Sequence, residues 1–280
     1  MTKKKRTKTD WRKSKDADAV TVETYQRGQF ADWRYLVILD ACRYDVLAEI
    51  AQERDWPAPL KLNLRWHWTA LWYREYWHGQ NNDAHLISAS PFPFHKIGWH
   101  VHEKFKTAIW ADPAGKDVKT RPELAAIWTD IKSGGGSMFD PALALRIFGI
   151  VKQPGERYLI HLMPPHLPYL GERGRALMDR LGIDLNRGDR SYPAIQSYGQ
   201  AGHWDELRAC HKENVEYALD ALSKYEHLFA DGKVVITADH SELIGDLSSD
   251  GEAVYGHGGR YDLQPDPFVK LRTVPWLEIR

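Results

Sequence analysis

The residues of this sequence that could do chemistry stand directly after short apolar, β-branched runs. The clearest run is 234–237, Val-Val-Ile-Thr, which is followed by Asp239 and His240. Such a run is typical of a strand buried on both faces of a parallel sheet, and ligands bind just beyond the carboxyl ends of such strands. A carboxylate beside an imidazole at that point is a pair of metal ligands, although a polar turn after a strand would look the same. Repetition of the pattern elsewhere in the chain decides between the two.

Two more strand patterns end in residues of the same kind. The run 35–39, Tyr-Leu-Val-Ile-Leu, leads directly into Asp40. The run 158–162 contains His161 and is followed by His166 in a proline-rich loop. Because prolines hold such a loop stiff, we expect a ligand role for His166 and consider His161 as a further ligand. Structural histidines with satisfied hydrogen bonds are the alternative.

Three further residues could complete such a site. His257 has a glycine on each side, which lets the backbone present its ring closely to a ligand. Thr69 stands at the start of a predicted helix over 70–77, where its hydroxyl either caps the helix or faces a bound anion. Arg43 follows Asp40 closely and could reach an anionic substrate or form an ordinary ion pair.

Together these residues predict a metal site beside an activated alcohol. Carboxylates with imidazoles suit zinc, manganese or iron, held as one or two ions. Such ions neutralise charge on phosphoryl or sulfuryl oxygens, and coordination lowers the pKa of a threonine hydroxyl enough to make it a nucleophile. The strand-end and loop residues of this set are Asp40, Thr69, His161, His166, Asp239, His240 and His257.

The elements that must position these residues alternate between strand and helix. This alternation predicts an α/β fold with a mainly parallel central sheet. Apolar stripes predict helices over about 46–54 and 213–229. Residues 170–205 are polar and Gly-rich and are predicted to form a long insertion over the site. The last run, 274–279, contains Pro275 and is predicted to be a terminal edge strand.

Composition predicts one globular domain preceded by a basic tail. The chain has 280 residues, 43% of them hydrophobic, which suits one large α/β domain over residues 21–280. Eight of the 38 basic residues but one of the 38 acidic residues lie within 1–15, so residues 1–20 are predicted to be a disordered tail. That tail could contact nucleic acid weakly. The acidic remainder argues against a broad nucleic-acid-binding face.

The sequence also indicates the cellular compartment of the protein. No apolar run approaches the roughly 20 residues that span a bilayer. The basic start is not followed by the apolar segment of a secretory signal. The two cysteines, Cys42 and Cys210, argue against a disulfide framework. A cytoplasmic protein without a membrane span is therefore expected, with the oligomeric state left open.

Four segments, which carry all of the candidate site residues except Thr69, resemble the alkaline phosphatase superfamily, and more narrowly its sulfatase-like branch. They come in the family's order and extend from about residue 35 to the C-terminus. The segments are Ile-Leu-Asp-Ala-Cys-Arg-Tyr-Asp (38–45), His-Leu-Met-Pro-Pro-His-Leu-Pro-Tyr (161–169), Thr-Ala-Asp-His-Ser-Glu-Leu-Ile-Gly-Asp (237–246) and Tyr-Gly-His (255–257).

The resemblance implies a three-layer sandwich and assigns roles to the residues. Asp40, Asp239 and His240 would bind one metal. Thr69 would be the nucleophile that touches the same metal. His166 and His257 would belong to a second metal site.

The sequence departs from the family at three positions. Cys42 is followed by Arg-Tyr-Asp instead of completing the Cys-x-Pro-x-Arg signature of sulfatases, so arylsulfatase activity is not expected. Leu162 stands where many relatives have aspartate, so His161 substitutes for it or the second site is weak or empty. Ser241 stands where glycine is common.

The function that we expect is metal-dependent hydrolysis of phosphate mono- or diesters, on a small molecule or a polymer. Thr69 is the expected nucleophile and Arg43 a second candidate catalytic residue. One or two divalent ions, zinc or manganese, are the expected cofactors. The alternatives are phosphoryl transfer to another alcohol, sulfatase-like hydrolysis at the same site, and a catalytically silent binding protein of the same fold.

Overall fold

A mixed β-sheet organises the structure, which is a computed structural model. The residues described are 20–21, 32–79, 81–96, 99–112, 121–134, 136–186, 191–248, 251–257 and 265–279. Within these ranges eight strands form the sheet, in the order β1-β3-β10-β7-β2-β6-β4-β5. The strands are β1 (Val20–Thr21), β2 (Tyr35–Leu39), β3 (Leu60–Asn63), β4 (His85–Ser88), β5 (Ala108–Trp110), β6 (Tyr158–Leu162), β7 (Val234–Thr237) and β10 (Thr273–Glu278); a separate hairpin comprises β8 (Leu243–Leu247) and β9 (Ala253–Gly256).

Helices connect and cover these strands. They are α1 (Tyr44–Glu53), α2 (Thr69–Trp77), α3 (Pro122–Ser133), α4 (Pro141–Val151), α5 (Glu172–Arg180), α6 (Tyr192–Tyr198), α7 (Trp204–Lys224) and α8 (Pro265–Arg272). Every residue of β2, β4, β6 and β7 is buried. Because successive strand side chains point to opposite faces, the centre of the sheet is covered on both sides. The predicted α/β layered architecture with a mostly parallel sheet is confirmed.

The register of the central strands brings their carboxyl ends together. Strands β7, β2 and β6 are adjacent and parallel, and Ile38 of β2 lies opposite Thr237 on one side and His161 on the other. Asp40 follows β2, and Asp239 follows β7 two residues beyond its end. The strand-end residues predicted from sequence therefore meet at one edge of the sheet.

The terminal strand β10 is not an edge strand, so that prediction was wrong. It lies between β3 and β7 and runs antiparallel to both. Pro275 is tolerated there because it lies near the end of β7, where its carbonyl accepts the hydroxyl of Thr237 (2.6 Å). The missing N–H of the proline therefore falls where the β7 ladder ends.

Helix α7 begins at Trp204, well before the predicted start at residue 213. Its first half is polar in composition but buries Leu207, Cys210 and His211 at helical spacing. With α5 and α6 of the predicted 170–205 insertion, with the loop after β6 and with the β8–β9 hairpin, this half forms a small apolar cluster separate from the main core, which includes Leu177 and Ile195. The insertion is therefore largely helical.

The predicted tail, residues 1–20, lies almost wholly outside the described residues. Val20 is the exception, and β1 pairs in parallel with Leu62 and Asn63 of β3. The domain boundary stays a prediction. Among the helices of the described ranges, none combines the length and apolar character that a membrane crossing needs.

Substituting a central-strand leucine should test the core. Leu159 in β6 is fully buried, whereas Leu247 at the end of β8 is 61% exposed. We expect Leu159→Ala to lower the free energy of unfolding by about 2–5 kcal/mol, because it removes buried methyl groups and leaves a cavity. Leu247→Ala should change it by less than about 0.5 kcal/mol. Urea denaturation measures both, and equal effects would contradict the assigned burial.

Candidate metal centre

Asp40 and Asp239 are held at the sheet edge by backbone contacts between neighbouring strand ends. The N–H of Asp40 donates to the carbonyl of Leu162 (3.1 Å). The N–H of Ala41 donates to Asp239 Oδ1 (3.2 Å). Ala41 has a φ of 61°, a left-handed conformation that is uncommon for a residue with a Cβ. Such strain is typical of turns that a functional site requires.

Three potential ligand atoms lie around the Nε2 atom of His240 at this edge. The Nε2 atom of His240 lies 3.2 Å from Thr69 Oγ1, 3.4 Å from Asp40 Oδ1 and 3.4 Å from Asp239 Oδ2. Zinc–ligand bonds of about 2.0–2.1 Å in a tetrahedron place the ligand atoms about 3.3 Å apart. The spacing of this group therefore suits a tetrahedral cation site.

Unsatisfied oxygens at the same point support a cation. Asp40 Oδ1 and Asp239 Oδ2 are buried and have no hydrogen-bond partner. His240 Nδ1 donates to the carbonyl of Ser241 (3.0 Å), so Nε2 is the atom that faces the carboxylates. Two buried, unpaired carboxylate oxygens are costly without a positive charge between them. Two carboxylates, one imidazole and one alcohol are a donor set that fits a divalent cation.

The charges of the group are tightly linked. Burial alone would lower the pKa of His240, but the carboxylates of Asp239 and Asp40 raise it to about 10. Burial opposes ionisation of Asp40, yet its hydrogen bond from His161 and the nearby imidazole of His240 hold its pKa well below the usual value. The metal-free protein thus places a proton on His240 where a cation would otherwise balance the carboxylates.

Thr69 does not cap its helix. It is the first residue of α2, and the cap position belongs to Trp68, which makes no side-chain capping bond. The Thr69 side chain is buried and its hydroxyl points to His240 instead. Because the N-terminus of α2 favours negative charge, this hydroxyl stands where an anionic ester would be stabilised.

His161 lies beside the centre and contacts Asp40. Its Nε2 donates to Asp40 Oδ2 (3.1 Å), because a carboxylate only accepts, and its Nδ1 then accepts from the phenol of Tyr73 (2.8 Å). The ligand atoms of Asp40, His161 and Asp239 also lie within 4.8 Å of one another, so His161 is within reach of a cation. With both ring nitrogens engaged, the observed geometry favours orientation of Asp40 over coordination.

A second group of ligand atoms adjoins the first. His166, Glu242 and His257 offer atoms within 4.8 Å of one another, and His257 Nδ1 lies 2.8 Å from Glu242 Oε1. The rings of His240 and His257 are 4.1 Å apart between centroids. Glu242 Oε2 is buried without a hydrogen-bond partner. This group could hold a second cation, and the two predicted histidines belong to it.

Glu242 was not assigned a role from the sequence, although it stands two residues after His240. The signal was its carboxylate within the same strand-end segment, just before β8 begins. Burial raises the pKa of Glu242 to about 7, so the metal-free protein keeps this carboxyl partly protonated at neutral pH.

The guanidinium of Arg43 is engaged by two carboxylates and one backbone carbonyl. Its guanidinium donates to both oxygens of Asp45 (2.9 and 2.6 Å), to Asp246 Oδ2 (2.7 Å) and to the carbonyl of Glu242 (2.9 Å). These bonds favour the ion-pair interpretation over contact with a substrate. They also fix the backbone of Glu242, so Arg43 acts on the site through that residue.

The loop that carries His166 is held by Asn214 of α7. The side-chain amide of Asn214 donates toward the carbonyls of Pro165 (3.1 Å), His166 (3.3 Å) and Pro168 (3.3 Å), and its oxygen accepts from the N–H of Leu170 (2.7 Å). Asn214 is fully buried. The position of His166 therefore depends on this helix as well as on the stiffness of the loop.

Cys42 and two of the tryptophans near Thr69 are buried, whereas the other two tryptophans are half-buried. Cys42 is fully buried, and burial raises the pKa of its thiol, so it is not a reactive nucleophile. Trp72 and Trp77 pack in the main core. Trp66 and Trp68 stay half-buried just before Thr69, and Trp68 makes an edge contact with Phe92 (5.6 Å between centroids).

Comparison with known proteins gives structural similarity only. No protein-family model matches the chain, and no curated protein does either. The chain is similar to the zinc complex of the C-terminal periplasmic domain of EcEptC from Escherichia coli, with a TM-score of 0.45 and 13% identity over 89% of this chain and 73% of that one. It is also similar to the phosphonate monoester hydrolase of Agrobacterium radiobacter, with a TM-score of 0.44 and 14% identity over 87% of this chain and 67% of that one.

Removing either strand-end carboxylate should abolish tight cation binding. We expect Asp40→Asn and Asp239→Asn each to weaken the tightest zinc equivalent by at least about 100-fold, because each removes a charged ligand at the point of convergence. Asp205→Asn, at a fully exposed carboxylate on α7, is the matched control. Calorimetric titration of chelator-treated protein measures the affinities. Unchanged binding in both site variants would place the cation elsewhere.

The raised pKa of Glu242 should make metal-free stability depend on pH. Its folded-state pKa of about 7 exceeds the ordinary glutamate pKa of 4.5, so between these pH values the folded state retains a proton that the unfolded state has lost. Stability should therefore fall as pH rises through this window, by up to about 3 kcal/mol. Glu242→Gln should reduce that decline in urea unfolding at pH 5 and pH 8 under chelation, and the part that remains above pH 6.5 belongs to His240, whose pKa is also raised. Added zinc should remove the decline in the wild type, and an identical decline with and without zinc would refute the assignment.

Proposed function

We propose that this chain is a metal-dependent hydrolase of phosphate mono- or diesters with Thr69 as its nucleophile. The observation that carries the proposal is the position of Thr69 Oγ1, 3.2 Å from His240 Nε2, where the unpartnered oxygens of Asp40 and Asp239 converge. The hydroxyl oxygen of Thr69 would therefore be a ligand of a cation bound at that point.

The chemistry follows from these neighbours. A divalent cation held by Asp40, Asp239 and His240 would lower the pKa of the Thr69 hydroxyl and neutralise charge on a phosphoryl oxygen. Thr69 Oγ1 loses its proton to solvent and attacks phosphorus, the bond to the ester oxygen breaks, and that oxygen takes up a proton from solvent and leaves as the alcohol. The phosphoryl group then resides on Thr69 until water removes it. The N-terminus of α2 favours the negative charge that accumulates during both steps.

The three residues that precede Thr69 are candidates for contact with the leaving group of the ester. Half-buried Trp66 and Trp68 precede Thr69 directly. Burial and the nearby rings of His240 and His257 lower the pKa of His67 to about 3, so this imidazole is neutral and close to both groups. We propose that these three residues contact the ester's leaving group, with aromatic faces and a neutral hydrogen-bonding ring.

Loss of the Thr69 hydroxyl should abolish turnover. With zinc or manganese and a panel of aryl phosphate mono- and diesters, we expect Thr69→Ala to lower kcat/KM by at least about 10³-fold, as the loss of a covalent nucleophile does. Thr69→Ser should retain measurable activity, because a primary alcohol can take the same place. Thr129→Ala, which removes a surface hydroxyl bonded within α3, is the control.

Trapping should identify the covalent step. Acid quenching during turnover should leave phosphate on Thr69, detectable by mass spectrometry, and Thr69→Ala should lack it. Added alcohol acceptors separate the two chemistries, since a transferase would release a new phosphate ester while a hydrolase would release inorganic phosphate. Full metal-dependent activity in Thr69→Ala would refute the nucleophile assignment. Cation binding without turnover of any ester would favour a binding protein.

A further inference from the structure

A tyrosine of the insertion reaches the second ligand group. Tyr192 is the first residue of α6, and its phenol oxygen lies 2.8 Å from His166 Nε2 and 3.4 Å from His257 Nδ1. The position of Tyr192 within a polar insertion gave no sign of such a contact in the sequence.

The direction of the hydrogen bonds around Tyr192 follows from its partners. His166 Nδ1 lies 2.8 Å from the carbonyl of Leu167, which only accepts, so Nδ1 carries a proton and donates. In the neutral ring, Nε2 then accepts from the Tyr192 phenol. His257 Nδ1 bonds to Glu242 Oε1 at 2.8 Å. The phenol oxygen thus stands among the atoms that would bind a cation.

The spacing of these atoms suits a fourth ligand. The 3.4 Å between the Tyr192 oxygen and His257 Nδ1 is close to the edge of about 3.3 Å in a tetrahedron of bonds near 2.0–2.1 Å, and the hydrogen-bonded contact to His166 Nε2 is shorter at 2.8 Å. Three protein ligands leave a tetrahedral site open, and the phenol oxygen lies beside two members of the triad. Glu242 Oε2, buried and without a hydrogen-bond partner, supplies a charge that a cation would balance.

Tyr192 is held in this place by contacts outside the site. Gln196, one turn further along α6, donates to the carbonyl of Ala253 (3.0 Å) and accepts from the N–H of Tyr255 (2.6 Å). These two bonds fix α6 against β9, the strand that leads to His257. The ring of Tyr192 also packs on Tyr255 at 5.6 Å between centroids. The phenol is therefore preorganised relative to His257.

We infer that Tyr192 is the fourth ligand of a second cation site formed with His166, Glu242 and His257. The inference extends the proposed function, because it concerns the same pair of metal groups. When the cation binds, the phenol O–H bond breaks, the oxygen forms a bond to the cation, and the proton passes to solvent. A proton on the Glu242 carboxyl passes to solvent in the same way, and neutral His257 keeps its one proton on Nε2 while Nδ1 binds the cation. Two imidazoles with two anionic oxygens suit zinc or iron.

Iron(III) is the probe that reports a phenolate ligand directly. Phenolate-to-iron(III) charge transfer absorbs visible light, whereas imidazole and carboxylate ligands of iron(III) do not give that band. We expect the full-length protein, stripped of metal and reconstituted with iron(III), to show the band. Tyr192→Phe should lose it, and Tyr198→Phe should keep it. Tyr198 ends the same helix, and its hydroxyl bonds to Glu206 and Arg180 instead.

Zinc affinity gives an independent readout. Calorimetric titration should show two equivalents in the wild type, and Tyr192→Phe should weaken one of them by at least about 10-fold while leaving the other unchanged. A wild-type protein that binds two cations without the band, a band that persists in Tyr192→Phe, or binding of a single cation would each overturn the inference. Thr69→Ala should keep the band, so failure of the nucleophile assignment is distinguishable from failure of this one.

Discussion

Two buried carboxylate oxygens that accept no hydrogen bond constrain the whole site. Asp40 Oδ1 and Asp239 Oδ2 face the same imidazole nitrogen from strand ends that cannot move apart without breaking the central sheet. A buried ion that lacks a partner costs several kcal/mol, so the folded chain needs positive charge at that point. A proton on His240 supplies it in the metal-free state, and a divalent cation supplies more of it.

The surrounding ion pairs keep other cations away from this point. Arg43 follows Asp40 by three residues, yet its guanidinium forms ion pairs with Asp45 and Asp246. Lys270 also pairs with Asp246. If either cation reached Asp40 or Asp239, it would satisfy those oxygens permanently and compete with a metal ion. Because its acidic partners bind Arg43, the oxygens of Asp40 and Asp239 stay without a hydrogen-bond partner and can bind a metal ion. The bond from Arg43 to the Glu242 carbonyl positions the second group.

The part of the site that the sequence predicted is the part built by strands. An apolar run that stops at a polar residue marks a strand end, and parallel strands bring such ends together, which located Asp40, Asp239 and His240. Tyr192 and Asn214 lie in polar or helical segments whose periodicity carries no information about which residue faces a distant loop. Pro275 led to the wrong prediction of an edge strand for a related reason. A proline is tolerated at this position of β10 because β7 ends beside it, and the pairing of two distant strands cannot be read from local sequence. The early start of α7 likewise depends on burial by the insertion rather than on local composition.

The two ligand groups differ in what holds them, and this difference has consequences for how they would open. The first group stands on strand ends within the main core. The second depends on a proline-rich loop held by Asn214, on the β8–β9 hairpin and on the insertion, which share a small apolar cluster separate from the main core. Units with fewer buried contacts open locally before the whole domain unfolds. Release of α6 would therefore withdraw Tyr192 from His166 and His257 while Asp40, Asp239 and His240 stayed in place.

Because the rings of His240 and His257 are 4.1 Å apart, such an opening would also change the electrostatic field at the first group. Opening of the insertion would thus change the arrangement of the second group while the sheet stayed unchanged. The charge beside Thr69 would change with it.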